Sequence, residues 1–302
     1  MFIGVALNNK HSSYSIEDLF NVELECNIIH DEFNDKFKEI DQTLMLLDNV
    51  LQLQKVRNTY RGYEAQSVLH DLFGNQLSYS YEGTIADIWE RIKQFCAWIW
   101  NGIKKLFGVA DKKISTIKES IKKKRDKAKD DNLGKTVTVR IVNKNAYQSA
   151  VKMIADMIDG MKRGLDNDFK DVNLDQGDES FEAKVNSIRS LMDKKVTHNL
   201  SKWSEVDSLI SGAQDRERNM MALGEQLSTI VKKLQDIVNT NKQDNGSEAK
   251  VKMASALTRL IKSVMKSING VTQITISDVA ILARGGMTET DKADVATGGE
   301  KK

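Results

Sequence analysis

The 302 residues, 40% hydrophobic and 29% charged with a formal net charge of +2, allow one large or two to three small domains and speak against a disordered polymer. With no proline in the chain, reversals fall to the 18 glycines and to Asn and Asp, so long uninterrupted helices are expected. The two cysteines, Cys26 and Cys96, lie in apolar helical contexts and indicate neither a disulfide framework nor a zinc site, so a reducing compartment is the default.

MFIGVALNNK, at the start, has neither the basic lead nor the small-residue cleavage pattern of a secretory signal. Ser13 or Ser15 can cap a long amphipathic helix whose apolar residues, Leu19, Val22, Ile29, Phe33, Phe37, Ile40, Leu44, Leu47 and Leu51, recur at three- and four-residue spacing to about Arg61. A short second helix, about Glu64 to Phe73, closes at Gly74-Asn75 and completes a predicted hairpin. Residues 76–84, QLSYSYEGT, are unperiodic and read as an exposed connection. The charge changes sign there: residues 1–82 carry 13 acids against 6 Lys/Arg, and the remainder 30 against 39. An acidic region of 1–82 is therefore set against a basic one that tolerates or seeks polyanions.

From Thr84 a new amphipathic helix is predicted, carrying Ile85, Ile88, Trp89, Ile92, Phe95, Cys96, Ile99, Ile103 and Leu106 on one stripe and three of the four tryptophans, Trp89, Trp98 and Trp100. Three roles fit it. It is a buried core helix, or an interfacial helix on an anionic bilayer, or a docking face for a partner, the last two using Ile88, Trp89, Ile92, Phe95, Trp98, Ile99, Trp100, Leu106 and Phe107. No apolar run reaches the roughly 18 residues of a membrane span, so a soluble protein is expected.

The helix runs on into a lysine-rich stretch with a thin seam of Ile114, Ile117 and Ile121, ending near Asp130-Asp131 and Gly134, so that 83–134 forms one Trp-rich and Lys-rich segment. Lys104, Lys105, Lys112, Lys113, Lys122, Lys123, Lys124 and Arg125 are candidate polyanion contacts, against the plain reading of a solvated helix face. Phosphate contact through them would be non-specific and salt-sensitive, and anionic lipid suits the same charges.

Beyond it, KTVTVRIV at 135–142 alternates as a strand and QITIS at 273–277 is its expected partner. Helices are expected at about 144–165, 179–199, 201–241 and 247–268, packed as a bundle or coiled coil within a region of 135–283, and 284–302 reads as a disordered tail. The fold class is thus predominantly all-α, with at most one small two-stranded β element.

For chemistry the sequence offers four scattered histidines, His11, His30, His70 and His198, and no P-loop, GxGxxG, HExxH or GxSxG. Cys26 and His30 are four apart and can share a helix face, yet a packed cysteine beside a surface histidine is the plainer account. No catalytic residue, metal, cofactor or small-molecule substrate is expected.

IWERIKQFCAWIWNGIKKLFG followed by a lysine-rich helix resembles the internal head proteins of large tailed phages, over about residues 85–130. The resemblance implies a non-enzymatic virion protein, made in the host cytoplasm and carried inside the head with DNA and other head proteins. It also implies removal of an N-terminal propeptide by the maturation protease after Ser-x-Glu or Leu/Ile-x-Glu. Ser80-Tyr81-Glu82, followed by Gly83, fits the first form at the charge boundary, and Leu223-Gly224-Glu225 fits the second inside a predicted helix. The alternatives from the residues alone are a membrane-active helical protein using 85–107 and a cytoplasmic helical adaptor.

Overall fold

A computed structural model describes residues 28, 31–49, 81–128, 130–166, 174–243 and 248–285. Among these residues the chain forms six helices and one two-stranded antiparallel sheet, so the fold is predominantly all-α. In chain order they are α1 (31–49), α2 (Tyr81–Lys127), β1 (Asn132–Val142), α3 (Lys144–Asp166), α4 (Leu174–Met192), β2 (Lys195–Lys202), α5 (Trp203–Gln243) and α6 (Glu248–Gly285). The predicted short helix at 64–73 lies outside the described residues, and of the tail predicted at 284–302 only Arg284 and Gly285 are described, where they end α6 rather than begin a disordered segment.

The helix α6 organises the rest. Apolar residues continue at helical spacing on nearly every side of it, from Val251 through Leu257, Val264, Val271 and Ile276 to Leu282, and all are buried. A helix that is apolar all round has to be central. Three of its buried hydroxyls bond back one turn, Thr258 Oγ1 to the Ala254 carbonyl at 2.7 Å, Ser267 Oγ to that of Ser263 at 3.1 Å and Thr275 Oγ1 to that of Val271 at 3.0 Å, whereas those of Ser263 and Thr272 have no hydrogen-bond partner. This overturns the strand predicted at 273–277, where β-branched residues sit within an unbroken helical stripe.

The true partner of β1 is β2. The register pairs Val137 with Leu200, Val139 with His198 and Ile141 with Val196, with an irregularity between Asn132 and Val137. KVTHNLSK alternates weakly, only Leu200 being buried, so the predicted helix of 179–199 ran too far: α4 stops at Met192. Of the connection predicted at 76–84, Tyr81-Glu82-Gly83-Thr84 belong to α2 instead, and 76–80 lie outside the described residues.

Two apolar clusters share the long helices. In one, the N-terminal half of α2 (Ile88 to Phe107) meets α1, α3, α4, the C-terminal half of α5 (Met220 to Val238) and α6 from Val251 to Val271. In the other, Ile114, Ile117 and Ile121 of α2 meet the β ribbon, Trp203 to Ala213 at the start of α5, and Val279 to Ala283 of α6. The first half of α5 therefore faces the second half of α2, so α2 and α5 run antiparallel. The start of α5 is well capped: Asp131 accepts the Trp203 and Ser204 N–H groups at 3.0 and 2.9 Å, and the Glu205 carboxylate accepts those of Ser201 and Lys202 at 2.8 and 3.1 Å.

The antiparallel contact of α2 with α5 is close because Gly224 lacks a side chain. A Cβ there would stand 2.4 Å from the buried ring of Phe107 and 3.3 Å from Ile103. Gly224→Ala is expected to cost about 1–3 kcal/mol through overpacking. Gly108→Ala, on an exposed turn with nothing within 4 Å, should instead gain about 0.5–1 kcal/mol from reduced unfolded-state entropy. Urea unfolding of the two variants is the check, and equal effects of the same sign would refute the contact.

Candidate functional site

The site singled out by the sequence is α2, and its two faces have different fates. The apolar face is core: Ile88, Trp89, Ile92, Phe95, Ile99, Leu106 and Phe107 are each at most 5% exposed. In this fold they are not offered to a bilayer or to another protein, because the chain's own helices already cover them. The sequence showed the stripe but not its cover, since a core helix and an interfacial helix share one periodicity.

The three tryptophans of α2 separate. Trp89 is fully buried, and its Nε1 has no hydrogen-bond partner. Trp98 is half-buried in an aromatic nest, its ring 4.7 Å from Phe33 and 5.9 Å from Phe37 of α1, and stacked at 6.1 Å on Phe95. Trp100, also half-buried, has the ammonium groups of Lys104 and Lys232 at 4.7 and 4.9 Å from its ring. A cavity of about 40 Å³ between α1 and α2 is lined by Lys36, Ile40, Thr43, Arg91, Phe95 and Trp98.

The polar face carries the lysines. Lys104, Lys105, Lys112, Lys122 and Lys123 are exposed, whereas Lys113 is 9% exposed and Lys124 half-buried with its own interactions. Arg125 donates to Asp207 of α5 at 3.1 Å, and Lys105 to Glu32 of α1 at 2.7 Å. The eight candidate cations thus divide into outward charges and structural ones. Helical spacing alone could not make that division, because it depends on where α1 and α5 lie.

Among other candidates, Ser80, Cys26 and His30 lie outside the described residues, and Tyr81, Glu82 and Gly83 occupy the first turn of α2. Burial pushes the Cys96 thiol up to about 12, which keeps it protonated and unreactive. No group of three or more His, Cys, Asp and Glu among the described residues is placed to hold a metal ion, and none of the described helices is long and apolar enough to cross a membrane.

The sequence reading missed a buried ionic layer. Asp278 of α6 accepts the Val142 N–H of β1 at 3.0 Å and lies 3.9 Å from the Arg216 guanidinium of α5, which in turn sits 5.4 Å from the Tyr147 ring. Tyr147 donates to the Arg216 carbonyl at 2.6 Å. Beside them Glu217 is 3% exposed, and neither of its oxygens has a partner; the Thr272 hydroxyl is close enough to favour its charged form slightly but outside bonding geometry. Desolvation raises the Asp278 and Tyr147 pKa values and lowers that of Arg216. The only hint in the sequence was the break in the apolar stripe of α5 at Asp215-Arg216-Glu217-Arg218.

No protein-family model, curated protein or solved structure matches the chain.

Burial lifts Glu217 from its ordinary 4.5 to about 8. The folded protein therefore holds a proton there that the unfolded chain has already released, and stability falls as pH rises between those values, then levels off. The slope in that window is about 1.4 kcal/mol per pH unit for one such group. Glu217→Gln, which keeps the shape and removes the titration, should flatten this decline and be more stable than the parent at pH 8. Thermal unfolding from pH 5 to 9 measures it, and parallel curves for the two proteins would refute the assignment.

Proposed function

We propose that this chain is a non-enzymatic structural protein of a large tailed phage, carried inside the head, with α2 lying against packaged DNA through its outward lysines. The observation that carries the DNA contact is the division of α2: its apolar face is used up by the bundle, so the surface it offers is the cationic one, with Lys104, Lys112, Lys122 and Lys123 exposed. The region from residue 83 onward carries 39 Lys/Arg against 30 acids, which suits a polyanion. The virion setting follows from the resemblance of residues 85–130. A cut after Glu82 would separate the acidic part from the basic one at the first turn of α2, and opening a terminal helical turn costs little.

A membrane-active role requires the same tryptophan stripe to leave the core. Its burial in the described fold weighs for the DNA reading over the lipid one.

The N-terminus of the protein recovered from purified particles tests the proposal. A mature chain beginning at Gly83 is expected, and an intact chain absent from particles would overturn it. In solution, Lys122→Ala with Lys123→Ala should make the dependence of log K on log salt for a DNA duplex shallower by roughly 1–2, as each lost phosphate contact removes about 0.9. An unchanged slope would remove this stretch from the interface.

A further inference from the structure

The contact between α1 and the rest of the bundle has a one-way electrostatic character. Phe33, Phe37, Ile40, Leu44 and Leu47 are buried at alternating spacings of four and three, the seam of a helix packed as in a coiled coil. Phe33 fits over Gly102 of α2, where a Cβ would be 2.9 Å from the ring. Flanking this seam, three carboxylates reach across to three cations. Glu32 binds Lys105 of α2 at 2.7 Å, while Asp41 and Asp48 bind Lys262 and Arg259 of α6. In all three described ion pairs between α1 and the bundle, the acid belongs to α1. The lysines of α1 stay within the helix, Lys36 on Glu39 and Lys38 on Asp35.

We infer that α1 is an acidic mask: Glu32, Asp41 and Asp48 occupy, in the intact chain, cations of α2 and α6 that otherwise bind nucleic-acid phosphates. The inference rests on the DNA reading above and extends it to a second patch, on α6. The spacing of the three acids along α1, nine and seven residues, places charges roughly 10–14 Å apart at 1.5 Å per residue. A rigid line of anions at such intervals competes with a phosphate backbone for the same cations. While α1 is tethered, its effective concentration is of millimolar order and the mask holds; a cut after Glu82 breaks the tether and leaves only the bimolecular affinity of the seam. Proteolysis would then uncover Lys105, Lys262 and Arg259 together with Trp98, an aromatic ring beside the basic patch. The acidic charge of the N-terminal region thereby acquires a local purpose, covering the patch until it is needed.

The test uses the full-length chain and a fluorescent 20-base-pair DNA duplex. Glu32→Gln, Asp41→Asn and Asp48→Asn together remove the competing charges and keep the apolar seam. Their variant is expected to bind the duplex about tenfold or more tightly near 0.1 M salt, with a salt slope steeper by roughly 2–3. A control of equal net charge, Asp31→Asn, Asp35→Asn and Glu39→Gln, changes acids of α1 that make no described ion pair with the bundle and should gain much less. In the parent protein, added duplex should also raise amide exchange across 31–49. Equal gains from variant and control, or parent-like affinity and slope in the variant while the parent binds DNA, would overturn the mask alone. No duplex binding by any of the three proteins would overturn the mask and the DNA reading together.

Discussion

Burying α6 on all its sides is the constraint from which the rest of the fold follows. A helix of 38 residues with apolar side chains nearly all round cannot be covered by one neighbour. It therefore collects α2, α3, α4, α5 and the ribbon strand β1 around it. Its length exceeds what a single short layer of helices can cover, so the covering is done in two stretches. Helices dominate around residues 251–271, while at 279–283 the β ribbon takes over where α3 and α4 have turned away. The ribbon is thus less an independent sheet than a lid on one end of a helical core, which explains how two strands survive without a third.

That division accounts for what could be read from the sequence and what could not. The helix periods of α2, α3 and α5 are continuous and sit where the spacing of apolar residues predicted them, because proline-free amphipathic segments declare themselves locally, whereas α6 begins where predicted but runs on past 268 to Gly285. The strand pair did not. QITIS reads as a strand in isolation and is helical because Val271, Thr272, Thr275, Ile276 and Val279 continue a stripe only visible over five turns. KVTHNLSK, with a single buried residue, has too little apolar content to announce itself, and its strand character comes from pairing with β1. For the site, the residue types and the exposed positions of Lys104, Lys105, Lys112, Lys122 and Lys123 were legible, whereas the burial of Lys113 and the half-burial of Lys124 and Arg125 were not. Nor were the partners, since Glu32 and Asp207, which pair with Lys105 and Arg125, come from elements 73 and 82 residues away in the chain.

Long antiparallel helices with repetitive apolar seams have a difficulty of their own, because a slide by one heptad leaves most of the apolar contacts intact. The buried ionic layer bears on it. Arg216 and Glu217 lie on α5 between Ala213, in the ribbon-side cluster, and Met220, in the larger one. Thr272 and Asp278 lie opposite this stretch on α6, and the exposed Asp111 of α2 is near enough for its charge to raise the Glu217 pKa. Val142 and Tyr147 close the stretch from the β1–α3 junction. The buried polar groups thus lie between two apolar clusters, at Arg216-Glu217 on α5 and from Thr272 to Asp278 on α6.

Moving α5 by one heptad would carry Arg216 and Glu217 into an apolar layer and separate Arg216 from Asp278, leaving a guanidinium buried without its countercharge. Breaking a buried pair in that way costs about 3–5 kcal/mol, a large share of the stability of an ordinary domain. The native register keeps Arg216 near Asp278 but still desolvates both, together with Glu217, whose burial protonation relieves. An apolar replacement of the whole layer would remove that penalty but leave the register of α2 and α5 to shape alone, chiefly the fit of Phe107 over Gly224. The layer is therefore best understood as stability given up for a unique alignment, and that alignment is what holds Lys105, Arg259 and Lys262, borne on two different helices, in one row opposite the acids of α1.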